Sequence, residues 1–424
     1  MRVAVVGLGK IGLPLAAQYA SKGATVIGCD VNAAVVEAVN AGISTVGGEP
    51  GLDDAVRAAH ESGRLSATLD TTAAVAESDV IVVIVRVGID EDRRTDFSNL
   101  DAAAAAIGRG LKPGSLVILE CTVPVGSTRQ RFGEALQAAS GLEAGAFRLA
   151  YSPERVSSGT MFRDLKAYPK LVGGIDEASG EAAAAFYREM LDAEVVVLPN
   201  AETAEFTKLA ESVYRDVNIA LANELAKAAD AAGVDYRAMA AAANSQPYSH
   251  LHQPGLGVGG HCIPVYPYLL MEIGDQPLIK LSREINDSMA AYASDRLEAA
   301  LQETGSGLSG ANVLILGLAY RGGVKEATLS STLLLARELT LRGARVSVHD
   351  PLFADAEIRA HGLEPSRLPP SGAIDAVVLQ AAHPEYRDLE IGQLGGARVF
   401  LDGRGSNDRA RFEAAGVRYI AIGA

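Results

Sequence analysis

The chain has 424 residues, 48% of them hydrophobic, and a formal net charge of −14. That length accommodates two or three domains with sizeable cores. The acidity argues against a nucleic-acid or anionic-membrane partner, because phosphate binding needs clustered Lys and Arg.

Residues 3–6 already read as a core strand, which leaves no room for a signal peptide. No apolar run reaches the ~18 residues of a membrane span, so a soluble, cytoplasmic protein is expected. Val3–Val6, Thr25–Cys29, Val80–Val85 and Leu116–Glu120 are short apolar runs rich in β-branched residues. Helical patterns such as Pro14–Ser21 and Leu100–Gly108 lie between them. This alternation predicts a parallel sheet covered on both faces.

Within this segment, Gly7-Leu8-Gly9-Lys10-Ile11-Gly12 follows a strand and opens a helix. Gly7 permits the tight turn, Gly9 the close approach of a pyrophosphate, and Gly12 strand–helix packing. The helix N-terminus adds amide donors and a positive dipole. Asp30 ends the next strand, placed to grip a ribose 2′-hydroxyl and to repel a 2′-phosphate. The expected cofactor is NAD, held by Gly7, Gly9, Lys10, Ile11, Gly12 and Asp30. The competing reading is a glycine turn with no ligand.

A break at Pro199-Asn200 precedes Ala201–Ala232, a helical pattern without Gly or Pro that stops at Gly233. Such a helix spans roughly 45–50 Å. It either joins two domains and packs against a partner chain, or is buried within one domain. Lys208 sits on it beside Glu205 and Glu211, and by composition alone is a solvated lysine. Beyond it, Gly255-Leu256-Gly257-Val258-Gly259-Gly260-His261-Cys262-Ile263-Pro264 crowds glycines around one cysteine. Glycines let backbone amides approach a substrate and face developing negative charge, so Cys262 is placed like a nucleophile; the alternative is a structural thiol. Cys29, Cys121 and Cys262 are too scattered for a disulfide framework or a zinc ribbon. His250, His252, His261 and Cys262 match no standard zinc spacing, and no metal is expected. After Gly305-Ser306-Gly307 the alternation resumes, with strands expected at Asn312–Leu316, Arg345–His349, Ala376–Leu379 and Val399–Leu401. The turn at Leu314–Gly323 lacks the three-glycine pattern, so a second dinucleotide is not expected there. The predicted fold is α/β: two doubly wound parallel-sheet domains (1–199 and 306–424) joined by a long central helix and a helical middle domain (200–305).

Together these segments resemble the nucleotide-sugar 6-dehydrogenases, the UDP-glucose/GDP-mannose dehydrogenase family, over nearly the whole chain. The resemblance rests on GLGKIGLP (Gly7–Pro14), EPGL (Glu49–Leu52), ECTVPVGST (Glu120–Thr128) and SPERV (Ser152–Val156). It extends through NAETAEFTKLAESVYRDVNIALANE (Asn200–Glu224) and QPGLGVGGHCIPVYPY (Gln253–Tyr268). These look most like the branch acting on UDP-N-acetylhexosamines. The resemblance implies oxidation of a sugar C6 alcohol to a carboxylate with two NAD and one water, through a thiohemiacetal and a thioester. Residue by residue it makes Cys262 the nucleophile, Lys208 the cation facing oxyanions and Glu154 an organiser of water. Thr122 falls near the nicotinamide. Arg155, Val156, Lys208, Arg215, Gly257, Tyr320, Arg321 and Arg404 fall to the UDP-sugar substrate. A homodimer is implied, built on the long helix.

Several positions depart from the family pattern. Tyr266 stands where the family has aspartate four residues after the cysteine, and a phenol with pKa near 10 does not simply replace a carboxylate base. Ser212 replaces the asparagine that follows the helix lysine. Arg86-Val87-Gly88, Gln246-Pro247-Tyr248 and Thr328-Leu329-Ser330 replace Pro-Thr-Pro, His-Pro-Arg and Arg-Glu-Ser. The frame is kept while polar groups change. A changed substrate, a redox-neutral reaction with bound NAD and a non-catalytic nucleotide-sugar binder remain alternatives to full oxidation.

Overall fold

The computed structural model describes residues 1–157 and 159–423. The chain forms two compact units, Met1–Glu211 with Tyr268–Asp275, and Ser212–Pro267 with Gln276–Ala424. No described helix is long and apolar enough to cross a membrane.

The first unit is built on strands β1 (Arg2–Val6), β2 (Thr25–Cys29), β3 (Leu65–Thr68), β4 (Val80–Val83), β5 (Leu116–Leu119), β6 (Arg148–Tyr151), β7 (Lys170–Gly174) and β8 (Val195–Leu198). They lie in the order β8-β7-β6-β5-β4-β1-β2-β3. Side chains alternate across the sheet: Val3 and Val5 enter one hydrophobic cluster, Ala4 and Val6 the other. Both faces are therefore covered, which explains why these strands read as unbroken apolar runs.

The strands expected from the sequence pair in parallel, and one pair beyond them is reversed. β6 and β7 pair antiparallel, while β7 and β8 are parallel to each other. A parallel return needs a crossover packed on the sheet. Among the described residues between β6 and β7, the only helix is the seven-residue Met161–Ala167. The reversal sets Ser152 beside Leu171, whose carbonyl accepts the serine hydroxyl at 2.8 Å. It also buries Lys170 against Glu120, at 2.9 Å, and Glu154, at 3.4 Å.

In the second unit, strands β9 (Asn312–Leu316), β10 (Arg345–His349), β11 (Glu364–Pro365), β12 (Ala376–Leu379), β13 (Val399–Asp402) and β14 (Arg418–Ala421) form a parallel sheet. Its order is β11-β10-β9-β12-β13-β14. In both units the first strand lies between the second and the fourth, the arrangement of a doubly wound nucleotide-binding sheet. The long helix α1 (Ala201–Ala232) runs over the predicted residues. Helix α2 (Pro277–Glu303) packs on the second unit through Met289, Ala293 and Leu297.

Removing Lys170 leaves Glu120, whose side chain is 0% exposed, without its cation. Lys170→Met should cost the first unit about 3–5 kcal/mol in urea unfolding, and adding Glu120→Gln should recover much of it. An unchanged midpoint in the single variant would show that the pair contributes nothing.

Candidate functional site

In the first unit the glycine turn follows β1. Gly7 has φ +97°, and a Cβ there would lie 2.1 Å from the Ile84 carbonyl oxygen at the end of β4. A Cβ on Gly12 would lie 1.8 Å from the Gly7 oxygen, whereas one on Gly9 meets no protein atom within 4 Å. Gly7 and Gly12 are thus required by the fold, and Gly9 keeps a surface clear for a ligand. Lys10 is exposed and Ile11 half-buried between them. Asp30 accepts the Leu8 amide at 2.9 Å and the Asn32 amide at 2.9 Å. It tethers the turn. This arrangement fits NAD.

Thr122 follows β5 in a segment tied down by a glutamate of α1, a role that composition does not reveal. Glu205 on α1 is fully buried and accepts the Gly126 amide at 2.5 Å and the Thr128 amide at 2.8 Å. Burial pushes its carboxyl up to about 7, against the pull of these hydrogen bonds. Lys208, one turn on, is half-buried, and its ammonium donates to the Glu154 carbonyl. The Glu154 carboxylate accepts the Arg155 amide at 2.6 Å and the Val156 amide at 2.8 Å. Burial opposes its ionisation, but Lys170, the Val156 amide and Lys208 outweigh it and hold its pKa below the usual range. The Arg155 guanidinium bonds the Pro169 carbonyl at 3.1 Å and Glu211 at 2.7 Å.

In the second unit the cysteine loop hangs from a buried polar chain. Gly255 donates its amide to Asn223 at 3.0 Å, Asn223 donates to Asn286 at 2.9 Å, and Asn286 donates to the Asp216 carboxylate at 2.8 Å. Arg283 completes it at 2.6 Å from Asp216. Nothing in the sequence pattern marked these residues, apart from polar positions on the buried faces of α1 and α2. A Cβ on Gly259 would lie 2.7 Å from the Tyr320 Cβ, and one on Gly257 would lie 3.2 Å from the Ser331 Oγ. The Gly260 amide donates to the Thr328 carbonyl at 2.8 Å. These glycines are demanded by packing against 320–331, a reason other than the amide display expected from the sequence. Cys262 is partly exposed, and its carbonyl accepts the Tyr266 amide at 2.9 Å, so Tyr266 lies one turn on and is buried. Ser212 is also buried, while Arg215 and Arg321 are exposed. The Arg404 guanidinium bonds the carbonyls of Gln380 and Tyr320, the latter at 3.2 Å. Among the described residues, no group of three His, Cys, Asp or Glu side chains is arranged to hold a metal.

The turn after β9 mirrors the turn after β1. Gly317 has φ +104°, and the Asp350 carboxylate accepts the amides of Leu318 and Ala319 at 2.8 and 2.9 Å. Here the aspartate is buried and also bonded by His383 at 3.1 Å, whose other ring nitrogen faces the Gly323 amide at 3.1 Å. With that carboxylate closed off, the site cannot offer it to a ribose.

Two outcomes follow from the first unit. Gly12→Ala should lose about 3 kcal/mol of stability, whereas Gly9→Ala should change it by less than about 0.5 kcal/mol and still weaken NAD in a fluorescence titration. Wild-type NAD affinity in Gly9→Ala would remove the assignment. For Glu205, the folded state holds its proton more tightly than the unfolded chain. Its contribution to stability is present below about pH 4.5 and lost as pH rises through about 7. Urea midpoints of the wild type, relative to Glu205→Gln, should therefore fall from pH 5 to pH 8; a flat difference would contradict this.

Comparison with known proteins agrees with this geometry. Residues 1–191 match the NAD binding domain of the UDP-glucose/GDP-mannose dehydrogenase family, 202–288 its central domain and 314–409 its UDP binding domain. A UDP-N-acetyl-D-mannosamine dehydrogenase from Pyrococcus horikoshii is 35% identical over 95% of each chain. A UDP-N-acetyl-D-glucosamine 6-dehydrogenase from Pseudomonas aeruginosa is 34% identical over 95% of this chain and 96% of its own. The solved structure of a UDP-D-ManNAc dehydrogenase from Pyrococcus horikoshii superposes with a TM-score of 0.90 at 33% identity, covering 100% of this chain and 99% of the other. The chain is thus an NAD-dependent oxidoreductase and belongs to the UDP-glucose/GDP-mannose dehydrogenase family.

Proposed function

We propose that the protein oxidises the C6 alcohol of a UDP-N-acetylhexosamine to the carboxylate. The observation that carries this reading is the setting of one thiol. Cys29 and Cys121 are buried, and burial pushes both up to about 12. Cys262 is the partly exposed cysteine, in a loop fixed by Asn223 and by the packing of Gly259 on Tyr320. Relatives named for UDP-N-acetylhexosamines align over 95% of the chain.

Two NAD molecules, held in turn at the first unit's glycine turn, would each accept one of the two hydrides that leave C6. The Cys262 thiolate adds to the aldehyde carbon, and the resulting thiohemiacetal is a better hydride donor than the aldehyde itself. Water then cleaves the thioester, releasing the acid and the sulfur. Lys208 is proposed as the cation for developing oxyanions. Glu154 is proposed to act through Lys208, because its carbonyl receives the ammonium and its carboxylate is engaged by Lys170 and two amides. Thr122 is assigned to the cofactor side of the first unit, and Arg155 and Val156 to the substrate. In the second unit Arg404 is the proposed diphosphate ligand. Its guanidinium is held by carbonyls, and burial lowers its pKa, so an anion would relieve the cost of desolvation. Gly257, Tyr320, Arg321 and Arg215 complete the proposed substrate set.

A homodimer is part of the proposal. Phe206, Tyr214 and Leu221 recur at helical spacing on α1 and are 44%, 52% and 47% exposed. Exposed apolar side chains in such a row suit a second copy. A cytoplasmic location is proposed with it, since reducing conditions keep Cys262 a thiol.

The assay offers UDP-N-acetylglucosamine, UDP-N-acetylmannosamine, UDP-glucose and GDP-mannose with NAD. The expected result is two NADH per acid on a UDP-N-acetylhexosamine, and no acid from Cys262→Ser while it still binds NAD. Sugar turnover without net NADH would favour redox-neutral chemistry, and full acid production by the serine variant would make the thiol structural. Light scattering at micromolar concentration should report a dimer; a monomer would remove that part.

A further inference from the structure

We propose that His261 is the proton carrier for Cys262 and that Glu326 holds its ring in place. This rests on the thiol chemistry proposed above and names a titrating group that neither family resemblance nor spacing assigned. His261 Nδ1 lies 3.1 Å from Glu326 Oε1, and the thiol of the adjoining residue, Cys262, raises the pKa of the ring. The His261 side chain is 51% exposed and Glu326 only 11%, so the imidazole stands at the surface with its acidic partner beneath it.

Both ends of the contact are fixed by backbone. Gly260, immediately before His261, donates its amide to Thr328 at 2.8 Å. The Glu326 carbonyl accepts the Tyr320 amide at 2.9 Å. Gly259 leaves no room for a side chain against Tyr320. The loop bearing His261 and the thiol is therefore held against the loop bearing the carboxylate. Of the other titratable groups here, Lys325 is turned to Glu357 at 2.7 Å, Arg321 is exposed over the Tyr320 ring, and Tyr266 lies one turn past the cysteine.

The electrostatics agree. The hydrogen bonds to Cys262 and Glu326 outweigh desolvation and push His261 up to about 10. At neutral pH the ring is an imidazolium beside the sulfur, which favours the thiolate. Where the family's aspartate is replaced by Tyr266, the histidine supplies a group whose charge changes during turnover. As sulfur bonds to the aldehyde carbon, the carbonyl π pair moves to oxygen, which takes the proton of His261. When the thiohemiacetal gives up its hydride to NAD, the hydroxyl proton returns to the ring and the C=O bond re-forms as a thioester. Water then bonds to the carbonyl carbon and the C–S bond breaks. Sulfur leaves as thiolate beside the imidazolium, and two protons go to solvent with the carboxylate formed.

The test uses the full chain without substrate, so failure of the sugar assay and failure of this proposal are separate events. Iodoacetamide labelling at pH 7 is followed by mass on the Cys262 peptide. An unperturbed thiol is only about 3% thiolate at that pH, so His261→Ala and His261→Gln should both label about tenfold more slowly than wild type. The Gln variant serves if the Ala variant does not fold. Wild-type labelling should stay nearly flat from pH 6 to pH 8 and become steeply pH-dependent in both variants. Glu326→Gln should slow labelling several-fold and steepen its pH profile, an effect that a purely structural loop contact would not produce. Wild-type rates and profiles in both His261 variants would overturn the proposal; a wild-type profile in Glu326→Gln would overturn the role given to Glu326.

Discussion

At the carboxyl end of a parallel strand, the first amides of the following turn have no strand partner, and burying them unpaired costs about 1–3 kcal/mol each. An aspartate at the end of the neighbouring strand supplies the partner in both units: Asp30 for Leu8, Asp350 for Leu318 and Ala319. Much else depends on that tether. It lets Gly7 and Gly317 turn at positive φ against the facing strand, and so leaves a crevice at the point where the strand order reverses. The two units diverge in what else the aspartate meets. Asp30 is half-exposed, whereas Asp350 is sealed by His383. One frame thus yields a dinucleotide site in the first unit and a differently equipped sheet in the second.

Buried charge organises the first unit further. Lys170 between Glu120 and Glu154 is a costly arrangement that holds only because Tyr19, Tyr187 and backbone amides share the carboxylates. It converts the reversed strand β7 into a support for the Ser152–Val156 loop, and through the Glu154 carbonyl for Lys208. The position of a half-buried functional group is thereby set by groups that are buried or nearly so.

What was legible in the sequence was what local periodicity and local turns encode. The strands at Thr25–Cys29, Asn312–Leu316, Arg345–His349 and Ala376–Leu379, and the helix Ala201–Ala232, run over the expected residues. Gly7, Gly12 and Asp30 could be read because their roles are defined within one strand–turn–helix unit. Glu205 could not: a glutamate among Lys208 and Glu211 has the composition of a solvated face, and only tertiary packing shows that it caps Gly126 and Thr128. The pairs Lys170 with Glu120, Asn223 with Asn286 and His261 with Glu326 join distant segments, so no spacing rule reaches them. The loop glycines were legible as a feature but not in cause, since the side chain that excludes a Cβ at Gly259 is Tyr320.

The distribution of sulfur has a further consequence. Two of the three thiols are sealed in the first unit's core, Cys29 at 1% and Cys121 at 3% exposure. Neither is accessible to resolve an oxidised partner. A sulfenic acid formed at Cys262 therefore has no internal route to a disulfide. It must be capped by a small external thiol or advance to the irreversible sulfinic and sulfonic states. Among the cysteine peptides, peroxide damage should register as added oxygen on the one that carries Cys262 with the fold intact, so that ageing extinguishes the thiol's chemistry well before the structure.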